Sequence, residues 1–239
     1  GSWFDPTLVA ALQAASRDAS FWDALAAPDI DARVAALEPV ARTVMIDEDR
    51  LDVIAAAFAD IIDAKSSFTA GHSQRVTVYA DSVAARLHMA PPRRRWLRRG
   101  ALLHDIGKLG VSSGILDKPG RLDAAEMAAM QHHASLSEEI LQRLSVFRDL
   151  APVAAAHHER LDGNGYPKRI GGDAIAHETR ILTVADIFDA LTAGRPYRAA
   201  LPVEEALAIM QRDIGTAIDA SCFAALQSCV PEMNLGADG

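Results

Sequence analysis

The chain has 239 residues, 50% hydrophobic and 23% charged, and its 24 basic and 32 acidic residues leave a net charge of −8. That length suits one large domain or one domain with an appendage, and the composition excludes a mainly disordered protein. The negative balance disfavours nonspecific binding to nucleic acid or to an anionic membrane surface. No apolar stretch approaches the roughly 18 residues that cross a bilayer, so no membrane insertion is expected.

Alanine fills 46 positions while aromatics make up only 5%, a bias toward helix over strand. Asp5 and Pro6 open the first helix as cap and first-turn residue. Helical patterns follow near 29–42, 47–64, 70–88, 93–106, 123–131, 135–145, 147–158, 178–193, 203–212 and 219–229. No alternating strand pattern interrupts them, so the expected fold class is all-α. Loops are marked by Pro91-Pro92, Gly110 to Gly120, Asp162 to Gly172 and Gly194 to Pro202. The run Arg93 to Arg99 reads as a solvated helix face with Trp96 and Leu97 turned inward. Cys222 and Cys229 would lie roughly 10 Å apart along a helix, too far to bridge. A reduced, cytoplasmic protein is the expectation.

Residues 1–12 align with residues 215–226, with five identities that include Asp5/Asp219 and Leu12/Leu226. Two alanine-rich helix starts can match by chance. Alternatively, residues 1–46 are the tail of a preceding, related domain, or linker. Residues 47–239 then form the functional domain, within a longer native chain that carries regulatory domains.

Eight histidines are present, and two groups stand out. His104-Asp105 closes an apolar helix just before Gly107. His157-His158-Glu159 closes another before Asp162-Gly163-Asn164-Gly165. Imidazole and carboxylate at helix ends followed by glycine loops suit metal binding, because glycine lets the backbone turn sharply beside a ligand. Mixed imidazole and carboxylate donors suit Mn or Fe, and two such ions about 3.5–4 Å apart can drive attack on phosphorus.

The string His104-Asp105-Ile106-Gly107-Lys108 resembles the signature of HD-superfamily metal phosphohydrolases. The string from His157 through Gly165-Tyr166-Pro167 is similar to the second signature of its HD-GYP subfamily. Segments around Gly71-His72, Met130 to His133, Val184 to Leu191 and Arg195 to Arg198 resemble the family's remaining segments, in its order, across about 47–212. The resemblance implies an all-α HD-domain helical bundle with a binuclear metal site at its centre. It implies a phosphodiesterase that hydrolyses cyclic di-GMP to pGpG or GMP through a metal-bridging hydroxide. The alternatives are another nucleotide substrate, or a sensor that binds cyclic di-GMP or metal without turnover.

Carried over by position, His72, His104, Asp105, His133, His157, His158 and Asp186 match the ligands of two divalent metal ions, Fe or Mn. Asp105 matches the carboxylate that bridges them. Lys108, Arg195 and Arg198 match phosphate contacts, and Tyr166 matches the loop tyrosine near the substrate. Asp189, one turn after Asp186, is placed to orient a ligand histidine. Phe68 stands where some members carry a glutamate for a third metal, and Ala134 where proline is common. His133 is favoured over its neighbour His132, and a homodimer stays open.

Overall fold

The computed structural model describes residues 4–37, 45–66, 70–194 and 199–233. The chain divides into two units, Gly1–Ile46 and Asp47–Gly239. The first holds helices α1 (Pro6–Ala15), α2 (Ala19–Leu25) and α3 (Ile30–Leu37). The Asp5 carboxylate accepts the N–H groups of Thr7 and Leu8, and Asp18 accepts that of Ser20, satisfying donors that a helix start leaves orphaned. None of the three helices buries a residue. The pattern expected over 29–42 is helical as far as Leu37; residues 38–44 lie outside the described residues.

The second unit is built from α4 (Glu48–Ala64), α5 (His72–Arg86), α6 (Pro91–Leu103), the short α7 (Ser113–Leu116), α8 (Ala124–Arg143), α9 (Ala151–Ala155), α10 (His177–Thr192), α11 (Val203–Gln211) and α12 (Ala220–Cys229). No strand forms among the described residues, and no helix among them is long and apolar enough to cross a membrane. The fold is an all-α bundle. One core gathers Val76 and Val83 of α5, Ile181 and Phe188 of α10, and Phe223 and Leu226 of α12. Another gathers Ala55 and Ile62 of α4, Leu103 of α6, Leu141 of α8 and Ala154 of α9. The Val, Leu, Ile and Phe side chains among them each contribute about 1.5–3 kcal/mol when fully buried. Helix α6 feeds both cores, so its C-terminal end emerges between them.

Three local expectations are corrected. The two helices expected at 123–131 and 135–145 are one, α8. No glycine or proline interrupts the stretch between them, and His133, Ala134, Ser137 and Leu141 line its buried face. The helix expected over 147–158 is a 3₁₀ turn, Arg148–Leu150, followed by five-residue α9. Pro152 restarts the helix in its first turn, and the His157 ring takes the Ala154 carbonyl at its far end. The arginines of α6 are braced rather than simply solvated. Arg95 and Arg99 bond Asp52 of α4, and Arg94 bonds Asp81 of α5. Leu97 is buried, as expected.

Cys222 and Cys229 are both free and buried. Asp219 caps α12 through Ser221 and Cys222, just as Asp5 caps α1 through Thr7 and Leu8.

Candidate metal centre

Helix α6 ends at Leu103, so His104 and Asp105 sit in the turn before the 3₁₀ segment Ile106–Gly110. That segment lies hard against α8. A Cβ on Gly107 would stand 1.9 Å from the His133 carbonyl oxygen, so no larger residue fits. Ser137 locks the approach: it accepts the Gly107 N–H at 2.9 Å and donates to the His104 carbonyl at 2.8 Å.

Three of the expected histidines share one device. His104, His133 and His157 each direct Nδ1 at the carbonyl three residues earlier, at 2.6, 2.6 and 2.5 Å. With Nδ1–H donating there, Nε2 is left as a bare acceptor facing inward. His72 instead sets its Nδ1 against a carboxylate, 2.8 Å from Asp189 Oδ2. The Arg75 guanidinium grips both oxygens of Asp189 from the other side, at 2.6 and 3.1 Å.

The four Nε2 atoms converge on the carboxylate of Asp105. Its Oδ1 lies 3.3 Å from His133 Nε2 and 3.8 Å from His157 Nε2. Its Oδ2 lies 3.6 Å from His72 Nε2 and 3.3 Å from His104 Nε2. Asp186 Oδ1 stands 3.4 Å from His72 Nε2. These gaps exceed ordinary hydrogen bonds. Two buried atoms at the centre, His104 Nε2 and Asp105 Oδ1, have no hydrogen-bond partner among the described residues. Buried polar atoms left so cost free energy unless something pairs with them. Among the described residues, three donor groups are compact enough to hold a cation: His133–His157–His158, His72–His104–Asp186 and His104–Asp105–His157. The donor set therefore fits divalent metal ions, which the mixed imidazole and carboxylate chemistry favours.

Charge is distributed unevenly. Burial would favour a neutral His72, but the facing carboxylates of Asp105, Asp189 and Asp186 raise it to about 10. Burial, reinforced by the neighbouring histidines, pushes His157 down to about 3 and His158 well below the usual range. Asp105 is fully buried, yet Lys108 and the surrounding imidazoles hold its carboxyl well below the usual range. Lys108 Nζ sits 2.5 Å from Asp105 Oδ2. Burial, with the Asp105 and Asp186 charges, pushes the Tyr166 phenol up, so it stays a protonated donor.

The sequence expectations fall out plainly. His72, His104, Asp105, His133, His157, His158, Asp186 and Lys108 are brought together, and Asp189 orients His72. His132 is exposed while His133 is buried, so the favoured member of that pair is the one at the site. Tyr166 stacks on His158, centroids 4.7 Å apart at 30°. Arg195, Arg198 and Phe68 lie outside the described residues.

Sequence reasoning missed three supports, Ser137, Arg75 and Thr183, and read the Glu159 carboxylate as suited to metal where it is a support as well. Ser137 and Arg75 are described above. Thr183 Oγ1 donates to the His157 carbonyl at 2.7 Å. Buried Glu159 accepts the N–H groups of Lys168 and Arg169 on Oε1 and of Ile170 on Oε2, at 2.6, 3.1 and 3.1 Å. It thereby cinches the 160–170 loop that carries Tyr166. Ser137 was findable, since it follows His133 by one helical turn.

Two clefts open onto the centre and meet at His158. One, about 300 Å³, is lined by Lys108, Lys118, Met130, Asp186 and Leu122. The other, about 330 Å³, is lined by Gln131, Arg160, Asn164, Tyr166 and Ile187.

Comparison with known proteins supplies the family. An HD domain model matches residues 56–222. The chain is 54% identical over 230 residues to "3'3'-cGAMP-specific phosphodiesterase 3" of Vibrio cholerae, covering 96% of this chain and 50% of that protein. It is 35% identical over 181 residues to "Cyclic di-GMP phosphodiesterase response regulator RpfG" of Xanthomonas campestris, covering 75% and 48%. A crystal structure of a cyclic GMP-AMP-specific phosphodiesterase from V. cholerae superposes with a TM-score of 0.57 at 50% identity, covering 97% of this chain and 53% of that one. An HD-GYP-type protein from Bdellovibrio bacteriovorus shares the fold, with a TM-score of 0.58 at 16% identity over 77% of this chain and 65% of that one. The chain spans about half the length of the curated relatives it matches. Matched across most of its second unit, and with His104–Asp105 at the heart of the donor cluster, the chain belongs to the HD domain family and carries the HD-GYP strings assembled in one site.

Proposed function

We propose that this chain is a metal-dependent phosphodiesterase acting on a guanine-containing cyclic dinucleotide, with residues 47–239 as the catalytic domain and residues 1–46 as an appendage. The carrying observation is the Asp105 carboxylate. One oxygen faces His133 and His157, the other faces His72 and His104, the disposition of a group shared between two cations. His158 completes one side and Asp186 the other. Two divalent ions there, Fe or Mn, would supply Lewis-acid stabilisation of phosphoryl oxygens and a nucleophilic water near neutral pH.

The chain's own residues account for the rest. The Nδ1 hydrogen bonds of His104, His133 and His157 hold their Nε2 atoms bare and aimed, so little reorganisation is needed there on loading. Lys108 reaches from the cleft wall to Asp105 and is placed to neutralise a phosphate oxygen as charge develops. Tyr166, kept protonated, offers a hydroxyl donor from the facing loop. Arg195 and Arg198 match phosphate-contacting positions of the family by sequence, where a planar guanidinium suits a phosphodiester.

A dinucleotide suits the architecture because Lys108 and Tyr166 line different clefts that share His158. A ligand using both must span the centre. The motifs point to cyclic di-GMP, while the named relatives divide between cyclic di-GMP and 3′3′-cGAMP; both carry guanine. The test is a chromatographic assay of both, with protein reconstituted anaerobically with Fe(II) or Mn(II) and a chelated control. Metal-dependent appearance of a linear dinucleotide or of mononucleotides supports the reading. Metal-loaded protein that releases no product from either overturns it.

A further inference from the structure

The cleft beyond Tyr166 has a make-up that the metal chemistry does not use. Its walls are the Tyr166 ring, Ile187 of α10 and Ala217, and its polar residues include Gln131 of α8, Arg160 and Asn164. Glu159 also lines it, but both carboxylate oxygens are spent on the backbone of 168–170. Thr183 is spent on the His157 carbonyl.

Arg160 is different. Its contacts with Asp162 are 3.2–3.4 Å long, whereas a charge-assisted hydrogen bond is about 2.7–2.9 Å. Asp162 is itself engaged by the Asn164 N–H at 2.9 Å. The guanidinium is therefore weakly held in the lining of a partly apolar cleft that also includes His157 and His158.

We infer that this cleft is a guanine subsite, with the base stacked between Tyr166 and Ile187 and its O6/N7 edge read by Arg160. The inference rests on the cyclic-dinucleotide reading above and names how that site selects its base. A guanidinium has five donors and no acceptor, so it matches an edge of two acceptors, which guanine presents. Adenine places an amino donor at the corresponding position and would oppose it. Gln131 and Asn164 carry both donor and acceptor and tolerate the remaining edge.

The experiment compares wild type with Arg160→Gln in two ways. Turnover of cyclic di-GMP and cyclic di-AMP is measured on metal-loaded protein, and binding of GMP and AMP is measured by calorimetry on metal-free protein. Arg160 is part-exposed and pairs only with Asp162 among the described residues, so the variant should fold. The expected result is about a tenfold fall in the cyclic di-GMP over cyclic di-AMP ratio of kcat/KM, carried by KM, with loss of a GMP-over-AMP binding preference. Turnover with an unchanged ratio overturns the subsite and leaves the hydrolase reading intact. Equal binding of GMP and AMP by wild type overturns it as well. A GMP preference that Arg160→Gln abolishes, without any hydrolysis, sustains the subsite and overturns the hydrolase reading.

Discussion

The two halves of the site are held by different forces. On one side the 3₁₀ turn after His104-Asp105 is jammed into α8, with no space for a single carbon on Gly107. On the other, the loop carrying Tyr166 is tied by backbone hydrogen bonds to the buried Glu159 carboxylate. Its far end is tied through Arg180, which bonds the carbonyls of Gly172 and Ile175 and the carboxylate of Asp219. Packing is unforgiving but rigid, whereas hydrogen bonds to one carboxylate are directional and can be weakened stepwise. His104, Asp105 and His133 lie on the packed half, and Tyr166 sits on the tied half. That division suits a centre that must not move and a lip that must admit a ligand.

The sharpest break should come from the centre itself. Asp105→Asn keeps the shape but removes the charge both histidine groups share. Turnover should fall by more than about 1,000-fold with loss of bound metal, while the circular dichroism stays helical. Retained metal and rate would refute the shared role. Gly107→Ala tests the packed half alone: the added methyl meets the His133 carbonyl and Ser137 nitrogen, so a loss of about 4 kcal/mol or outright misfolding is expected in urea melts. Glu159→Gln tests the tied half. The amide presents a donor where a backbone N–H arrives, which should cost about 1–3 kcal/mol and raise KM while metal content is retained. If metal is lost as well, the two halves are not independent.

The smallest effect is expected at Asp219. Asp219→Ala removes a helix cap, worth about 1 kcal/mol. Burial alone would raise the Asp219 carboxyl, but hydrogen bonds from Ser221, Cys222 and Arg180 hold it well below the usual range. A carboxyl depressed on folding contributes stability that is present above its unfolded value, about 3.9, and is lost as pH falls toward the folded one. The wild-type advantage over Asp219→Ala in urea midpoint should therefore be full at pH 7 and shrink steadily below about pH 4. A gap independent of pH would mean the carboxylate charge is not what ties the loop.

Much of this was legible in the chain itself. Strings such as His104-Asp105 and Gly165-Tyr166-Pro167 are local, because short spacings put donors at one helix end or one loop. Asp189 was legible as the partner one turn after Asp186, and it does meet His72. The repeat of residues 1–12 near the C-terminus is legible too, and its two aspartates make the same cap. Yet Leu12 is exposed and Leu226 is fully buried, so like sequences met unlike surroundings.

What the sequence by itself determined was the helical class, the residues able to bind metal and the glycines that let their loops turn, since propensity, side-chain chemistry and backbone freedom act over a few residues. What only the tertiary structure decided was which atoms meet. Asp105 divides its two oxygens between histidines from four elements, Ser137 and Glu159 become supports, and the arginines of α6 find acids on other helices. Those facts depend on contacts between residues far apart in the chain, which are set by how the helices pack their apolar faces, not by any spacing along it.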